Sequence, residues 1–374
     1  MTDRLPGASD IHFVPPEDVY KNREIYATLI SRVLDGCYGD DYPGTSLKPD
    51  KNLQALSDRT VKSVFWAITP EELANEQFGT SSMYDAFEEF GPGFAEMGKS
   101  GSLGGKGAKL GYMRFMEEWE KKNSFLDGYN SLVTTVRNCP ERPGKEHPIR
   151  AGAAIRVIFL KYLQFQQWGV APWLLMPDDS DGTYEVLDLL FKFRDKEELI
   201  RYVHENDVVL NSPKARELLN KFLKFNLGIE TQFKNTEENS AQSKEVKGWK
   251  ILASSEKAEK NPIKLVRAKN EKTFSEAYQD LQEYSGAMSS IYIPLTNETR
   301  QIQQKLENDG WILTGFIPGI ARGEETTPLQ GMWSKLKTDR PFANPAYLKH
   351  PDDLSPAWYY EFVESTMQDL AQKQ

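Results

Sequence analysis

Residues 98–115 read GKSGSLGGKGAKLGYMRF, with five glycines in the first ten positions. Bare backbone at that density, between a strand and a helix, aims main-chain N–H groups at an anion held at the positive end of the helix, most often a phosphate. Two common phosphate motifs do not fit. A Walker A loop ends in Gly-Lys-Ser/Thr, and GGKGAK lacks the hydroxyl that would hold magnesium. A dinucleotide fingerprint reads G-x-G-x-x-G, whereas Gly105, Gly107 and Gly111 are spaced by two and four residues. A surface loop with no ligand is the plain alternative.

Other reactive side chains are sparse. His147 precedes a proline in RPGKEHPIR, a context that reads as a turn rather than a base. Arg137, Arg142, Lys145 and Arg150 make that stretch basic, suited to a carboxylate, a phosphate or an acyl-carrier protein, or simply solvated. Cys139 has no histidine at local spacing and reads as structural or incidental. Two cysteines and four scattered histidines argue against a disulfide scaffold or a zinc site, so no metal is expected. A formal net charge of −9 disfavours non-specific nucleic-acid binding. No apolar run approaches the roughly 18 residues of a membrane span, and the opening MTDRLPGASD has no basic and apolar signal pattern. The expectation is a soluble, cytoplasmic protein with no membrane span.

The elements that must position the glycine turn follow from periodicity. Residues 19–34 carry apolar positions at helical spacing and break at GCYGDDYPG. VKSVFWAIT (61–69) is β-branched and aromatic and reads as a strand; FAEMGKSGSL (94–103) reads as a strand entering the turn; KLGYMRFMEEWEKK (109–122) reads as a helix. YNSLVTTVRN is a strand, AAIRVIFLKYLQFQQWG a helix closed by Gly169, APWLLMP a strand, and 184–228 largely helical. The polar run from Thr231 to Lys247 marks a boundary. It divides the chain into a unit over 1–230, a linker over 231–247, a second unit over 248–336 and a tail over 337–374 that closes as a helix. The second unit reads as strands at WKILA and IKLVRA, then helix, strand, helix and two strands, a small α+β pattern. Trp168, Trp173, Trp311 and Trp333 are expected in the core.

The ordered set of features resembles the GNAT family of acyl-CoA-dependent acyltransferases. In that family an initial helix is followed by a strand, a strand with a central acidic residue, a phosphate turn of pattern Q/R-x-x-G-x-G/A, a helix, a diverging strand and a helix ending in Gly-aromatic. Here Glu96 is the acidic residue and Ser102-Leu103-Gly104-Gly105-Lys106-Gly107 is the turn, with Gly105 and Gly107 on the two small positions. Ser102 replaces the leading Gln or Arg. LVTTVRN matches the strand after the phosphate helix, and LKYLQFQQWGV matches the Gly-aromatic helix end with Val170 in the aromatic place. The stretch SSIYIPLTNETRQIQQKLENDGWILTGFIPG resembles a second, degenerate copy of the family's C-terminal half. The fold implied is α/β (α+β), a mixed twisted sheet flanked by helices, with a second smaller GNAT-like unit.

The resemblance implies an N-acyltransferase using acyl-CoA, or an acyl group on a carrier protein, and a small amine or amino-acid-like acceptor. Gly104, Gly105, Lys106, Gly107 and Ala108 would bind the coenzyme A pyrophosphate, Glu96 would serve as base and Tyr162 as acid. Two alternatives stand beside it: a GNAT-fold module that senses a ligand without transfer, and an unrelated α/β enzyme binding another phosphate.

Overall fold

The computed structural model describes residues 12–38, 48–67, 75, 77–86, 90, 93–103, 107–124, 126–137, 156–170, 177–178, 183–184, 187–231, 233, 263–267, 271–283, 288–322, 325–337 and 354–372. The chain opens with β1 (His12–Val14), α1 (Pro16–Lys21), α2 (Arg23–Tyr38) and α3 (Pro49–Ser57). It continues through β2 (Val61–Ala67), β3 (Gly79–Asp85), β4 (Phe94–Ser102), α4 (Gly107–Glu120) and β5 (Ser131–Arg137). A short π-helix, α5 (Ile158–Tyr162), precedes β6 (Gln166–Val170), the hairpin β7 (Pro177–Asp178) and β8 (Thr183–Tyr184), and β9 (Leu187–Phe193). Two amphipathic helices follow, α6 (Lys196–Glu205) and α7 (Pro213–Leu227), capped by Asp195 and Ser212, with Gly228 ending α7 in the left-handed conformation.

The second unit runs β10 (Ile263–Arg267), α8 (Glu271–Glu283), β11 (Met288–Pro294), α9 (Arg300–Asn308), β12 (Ile312–Ile317), the hairpin β13 (Ile320–Arg322) and β14 (Glu325–Thr327), and β15 (Gln330–Leu336); α10 (Ala357–Gln372) closes the chain. The two units share one mixed sheet of eleven strands, ordered β1-β2-β3-β4-β5-β9-β6-β12-β15-β11-β10. Its eight strands from β4 to the β10 edge are palindromic. Chain order β4-α4-β5-α5-β6-β9 in the first unit recurs as β10-α8-β11-α9-β12-β15 in the second, with the first two strands of each parallel and the rest antiparallel. Even the irregularities recur: β6 breaks register with β9 between Gln167 and Gly169, and β12 breaks register with β15 between Leu313 and Gly315. The halves meet where Gly169 pairs with Gly315.

One strand is added and two expectations change. Residues 79–85, to which the sequence reading assigns no element, form a strand although GTSSMYD has no apolar alternation. Its serines are buried and satisfied across the sheet, Ser82 with Ser63 and Ser81 with Ser100, each at 2.7 Å. Residues 187–193, read as helical, form β9, in which Leu187, Leu189, Phe191 and Phe193 alternate with Asp188, Leu190 and Lys192; Asp188 is buried through its ion pair with Arg156. Gly169 does not close a helix. The helix ends at Gln164, whose φ of 55° supplies the left-handed turn, and the buried Phe165 takes the aromatic place assigned to Val170. Gly310 (φ 81°) and Trp311 repeat that ending in the second unit. Trp168, Trp311 and Trp333 are buried as expected; Trp173, WKILA, APWLLMP and most of 231–247 lie outside the described residues.

One face of the first unit is packed by α4 and α5: Ala95 and Met97 of β4 share a core with Tyr112, Phe115 and Trp119. The opposite face meets α1–α3 through Phe65, Phe78 and Leu34. Further along that face, Phe94, Val133 and Phe191 join a core that extends to Tyr292 and Trp333 of the second unit.

Candidate functional site

The parallel pair β4–β5 is registered at only three positions, Phe94↔Ser131, Ala95↔Leu132 and Glu96↔Val133, although β4 continues to Ser102 and β5 to Arg137. Both strands remain paired on their outer sides, β4 with β3 and β5 with β9. Where pairing stops, the Thr134 hydroxyl donates to the Met97 carbonyl at 2.8 Å, a side-chain bond in place of a ladder bond. A gap therefore opens inside the sheet between two strands that each have a fixed outer neighbour. The same point is marked on the other side of β4 by a register shift against β3, where Thr80 pairs with Gly101 and Ser82 with Gly98.

The far end of β4 is held against the end of α2. A Cβ on Gly101 would lie 2.9 Å from both Cys37 Sγ and Val33 Cγ1, and one on Gly36 would lie 2.3 Å from Leu103 Cδ2. Cys37 Sγ donates to the Ser102 carbonyl at 3.4 Å, and burial pushes its thiol above the ordinary range. Gly104, Gly105 and Lys106 lie outside the described residues. Gly107 and Ala108 open α4, whose first turn contains no acidic residue. Gly111 has a packing role instead: a Cβ there would fall 2.0 Å from Trp66 Nε1, and Trp66 also lies under Gly79. The glycine run therefore divides into a part around the turn and a part that lets α4 approach β2.

Glu96 is half-buried and points to the α1–α3 face, away from α4, since its neighbours Ala95 and Met97 fill the α4 core. Its register partner Tyr84 and the next residue on that face, Gly98, are also half-buried, and Thr135 of β5 faces the same side across the gap. These four are half-buried on one face of strands that are otherwise mostly buried. Tyr84, Gly98 and Thr135 were not singled out from the sequence; the signal that could have found them is an alternation broken by polar or small residues in the middle of central strands. Tyr162 ends α5, on the α4 face, and is 41% exposed, with Lys161 Nζ 6.0 Å from its ring centroid. Glu96 and Tyr162 thus lie on opposite faces of the sheet. Cys139, His147 and the basic residues Arg142, Lys145 and Arg150 lie outside the described residues, as does the side chain of Arg137. Among the described residues no group of three or more His, Cys, Asp or Glu could hold a metal ion, and no helix is long and apolar enough to cross a membrane.

Among the described residues the second unit shows no corresponding gap. β10 and β11 pair in parallel through five consecutive positions, Ile263↔Met288 to Arg267↔Tyr292, and α8 begins with Glu271 instead of a glycine-rich run.

No family model matches the sequence, and no curated protein matches it. Solved structures do. The chain is similar to an N-acetyltransferase from Staphylococcus aureus Mu50 (TM-score 0.32, 10% identity, 49% of this chain and 97% of that one). It is similar to the spermidine/spermine N-acetyltransferase of Vibrio cholerae (0.32, 12%, 52% and 98%). It is also similar to a Salmonella typhimurium protein solved with its cofactor acetyl-CoA (0.32, 15%, 50% and 93%). The first two of these neighbours are N-acetyltransferases, and each of the three matches about half of this chain.

Proposed function

We propose that the protein is a GNAT-like N-acyltransferase that moves an acyl group from acyl-CoA, or from a carrier protein bearing the same pantetheine arm, to the amine of a small acceptor. The observation that carries this reading is the opening between β4 and β5, placed directly before a glycine-rich turn and the N-terminus of a fourteen-residue helix. An extended, amide-bearing arm fits an edge of β4 that β5 has left, because it can exchange hydrogen bonds with backbone as a strand does. The pyrophosphate would meet the amides of the turn and of Gly107 and Ala108, at the positive end of α4. Ser102 supplies no charge there, so backbone and Lys106 would carry the contact.

The bound donor supplies a thioester carbonyl and a thiolate leaving group. In the transfer the amine nitrogen bonds to that carbonyl carbon, the C–S bond breaks, and one proton leaves the nitrogen while one reaches the sulfur. Glu96, half-buried at the mouth of the gap, is suited to take the proton from the amine. Tyr162, at the end of α5 on the other face, is suited to give one to the sulfur.

The test is binding of coenzyme A. It should raise the thermal midpoint, bind at one equivalent per chain because, among the described residues, only the first unit shows the opening, and lose its effect in Gly105→Glu. A midpoint unmoved by coenzyme A and by acyl-CoAs would rule out this reading. The exposed Tyr162 favours a second reading, a ligand sensor without transfer. Thiol release from acyl-CoA that requires an added amine separates the two: the enzyme shows it and the sensor does not.

A further inference from the structure

We infer that the Thr134 hydroxyl is a latch on the β4–β5 opening: it holds the backbone acceptor that the donor's amide-bearing arm needs, and the arm enters by displacing it. The inference rests on the acyltransferase reading for the identity of the arm, and adds a restraint on its entry that belongs to this chain's own residues.

A threonine buried inside a sheet must find a partner for its hydroxyl. Thr134 is buried, and its hydroxyl donates to the Met97 carbonyl at 2.8 Å. Met97 is buried too and directly follows Glu96, the last residue of β4 registered with β5. Its carbonyl is thus met from the β5 side by a side chain, at the point where a continued ladder would have supplied a backbone N–H.

The second unit supplies the comparison. Counting from the first registered pairs, Phe94↔Ser131 and Ile263↔Met288, the fourth position of the second strand is Thr134 in one unit and Ile291 in the other. In the second unit that fourth pair, Val266↔Ile291, is formed, and the side chain there carries no hydroxyl. The hydroxyl stands where the ladder stops.

Both strands are fixed on their outer sides, Thr134 in register with Leu190 of β9 and Met97 with Met83 of β3. Opening the latch therefore asks for no backbone movement, only rotation about the Thr134 Cα–Cβ bond. An arm carrying secondary amides re-partners the Met97 carbonyl with one of its N–H groups, while the hydroxyl turns into the opening. The bond between Thr134 and Met97 is what the arm must replace, so the latch weakens donor binding and keeps the empty opening satisfied.

The experiment measures coenzyme A binding to the full chain, to Thr134→Val and to Thr134→Ser by calorimetry. Valine keeps the branched shape and removes the hydroxyl. Without ligand its thermal midpoint should lie below that of the wild type, because the Met97 carbonyl is left buried and unpaired. Its Kd for coenzyme A should be lower by about fivefold, the equivalent of one net hydrogen bond, and the two midpoints should converge in saturating coenzyme A. Serine should keep the wild-type Kd. Adenosine 3′,5′-bisphosphate, which lacks the arm, should bind wild type and Thr134→Val alike. In the wild type itself, labelled with carbon-13 at the methionine carbonyls, the Met97 carbonyl resonance should move with coenzyme A and not with the bisphosphate, a readout that holds even if the valine variant does not fold. A Thr134→Val Kd equal to or weaker than that of the wild type, or a Met97 resonance indifferent to coenzyme A, overturns the latch. Coenzyme A binding with an unchanged Kd in Thr134→Val removes the latch alone; no binding of coenzyme A by wild type or variant removes the latch and the donor reading together.

Discussion

Gly169 and Gly315 are register partners across β6 and β12, and neither has room for a side chain. A Cβ on Gly169 would lie 2.4 Å from the Gly315 Cα, and one on Gly315 would lie 2.7 Å from the Trp168 carbonyl oxygen. Gly169 also has a φ of 150°, which L side chains rarely adopt. This is the junction on which the palindromic sheet turns. Alanine at either position should cost about 3–5 kcal/mol, from overpacking against backbone that cannot move aside. Urea unfolding of Gly169→Ala and Gly315→Ala, beside Gly98→Ala as a tolerated control, measures it; equal midpoints for all three would contradict the junction's tightness.

Next to that junction lies a buried ion pair. Arg156 Nε donates to Asp188 Oδ2 at 2.9 Å, both side chains being inaccessible, and Arg156 Nη2 reaches Ser355 Oγ at 2.8 Å. Gln167 donates to the same carboxylate, and the Tyr359 hydroxyl lies 2.7 Å from Asp188 Oδ1 and 2.9 Å from the Gly169 carbonyl. Burial, the largest influence, would lower the Arg156 pKa, but the Asp188 charge, the neighbouring Tyr360 and Tyr359 and the Asp188 hydrogen bond together raise it; burial and then the Asp188 charge hold the Tyr359 pKa well above its ordinary value. The cluster fastens α10 to β6 and β9. Asp188→Asn, which leaves the arginine charge buried without its partner, should cost about 3–5 kcal/mol. Tyr359→Phe should cost about 1–3 kcal/mol. Chemical denaturation of both variants and of the double variant should give less than the sum, since the two share one partner.

Asp127 reports a different contact. It pairs with Arg194, whose guanidinium lies over the Trp119 ring at 5.2 Å, and the Asp127 pKa is held at about 2 against an ordinary 3.8, chiefly by the Arg194 hydrogen bond and then by the Asn123 and Gly128 amides. A depressed carboxylate pKa favours the folded state only while the unfolded carboxylate is ionised. The contribution should be complete above pH 3.8 and fade as the pH falls toward 2. Thermal midpoints of wild type and Asp127→Asn should differ at pH 5 and converge near pH 2; a difference that stays constant with pH would show that the ion pair is not the source.

On the acyltransferase reading, Glu96→Gln keeps the shape of the side chain and removes the base. Turnover should fall by about 100-fold or more while the coenzyme A thermal shift is unchanged. The loss should be smaller with acceptors of low amine pKa, because these arrive already deprotonated. Turnover of Glu96→Gln within twofold of wild type would assign the proton to another group.

Much of this architecture is legible in the chain itself. The amphipathic period of α4 and the β-branched, aromatic composition of β2 and β5 report local preference and one-sided burial, which neighbouring residues decide. The succession of elements in the second unit is equally plain, and so is the order strand, glycine turn, helix around β4 and α4. Three elements escaped: β3, because buried serines look like a loop until the strands on either side satisfy their hydroxyls; β9, because its seven-residue alternation runs directly into the helical periods of α6 and α7; and β6, because QQWGV continues a helical pattern. The decisive features belong to tertiary structure alone. That β4 leaves β5 after Glu96, that β6 meets β12 at two glycines, and that Tyr84 and Gly98 lie side by side on one sheet face all depend on which strand lies beside which. Strand pairing joins residues far apart in the chain, so no local pattern records it.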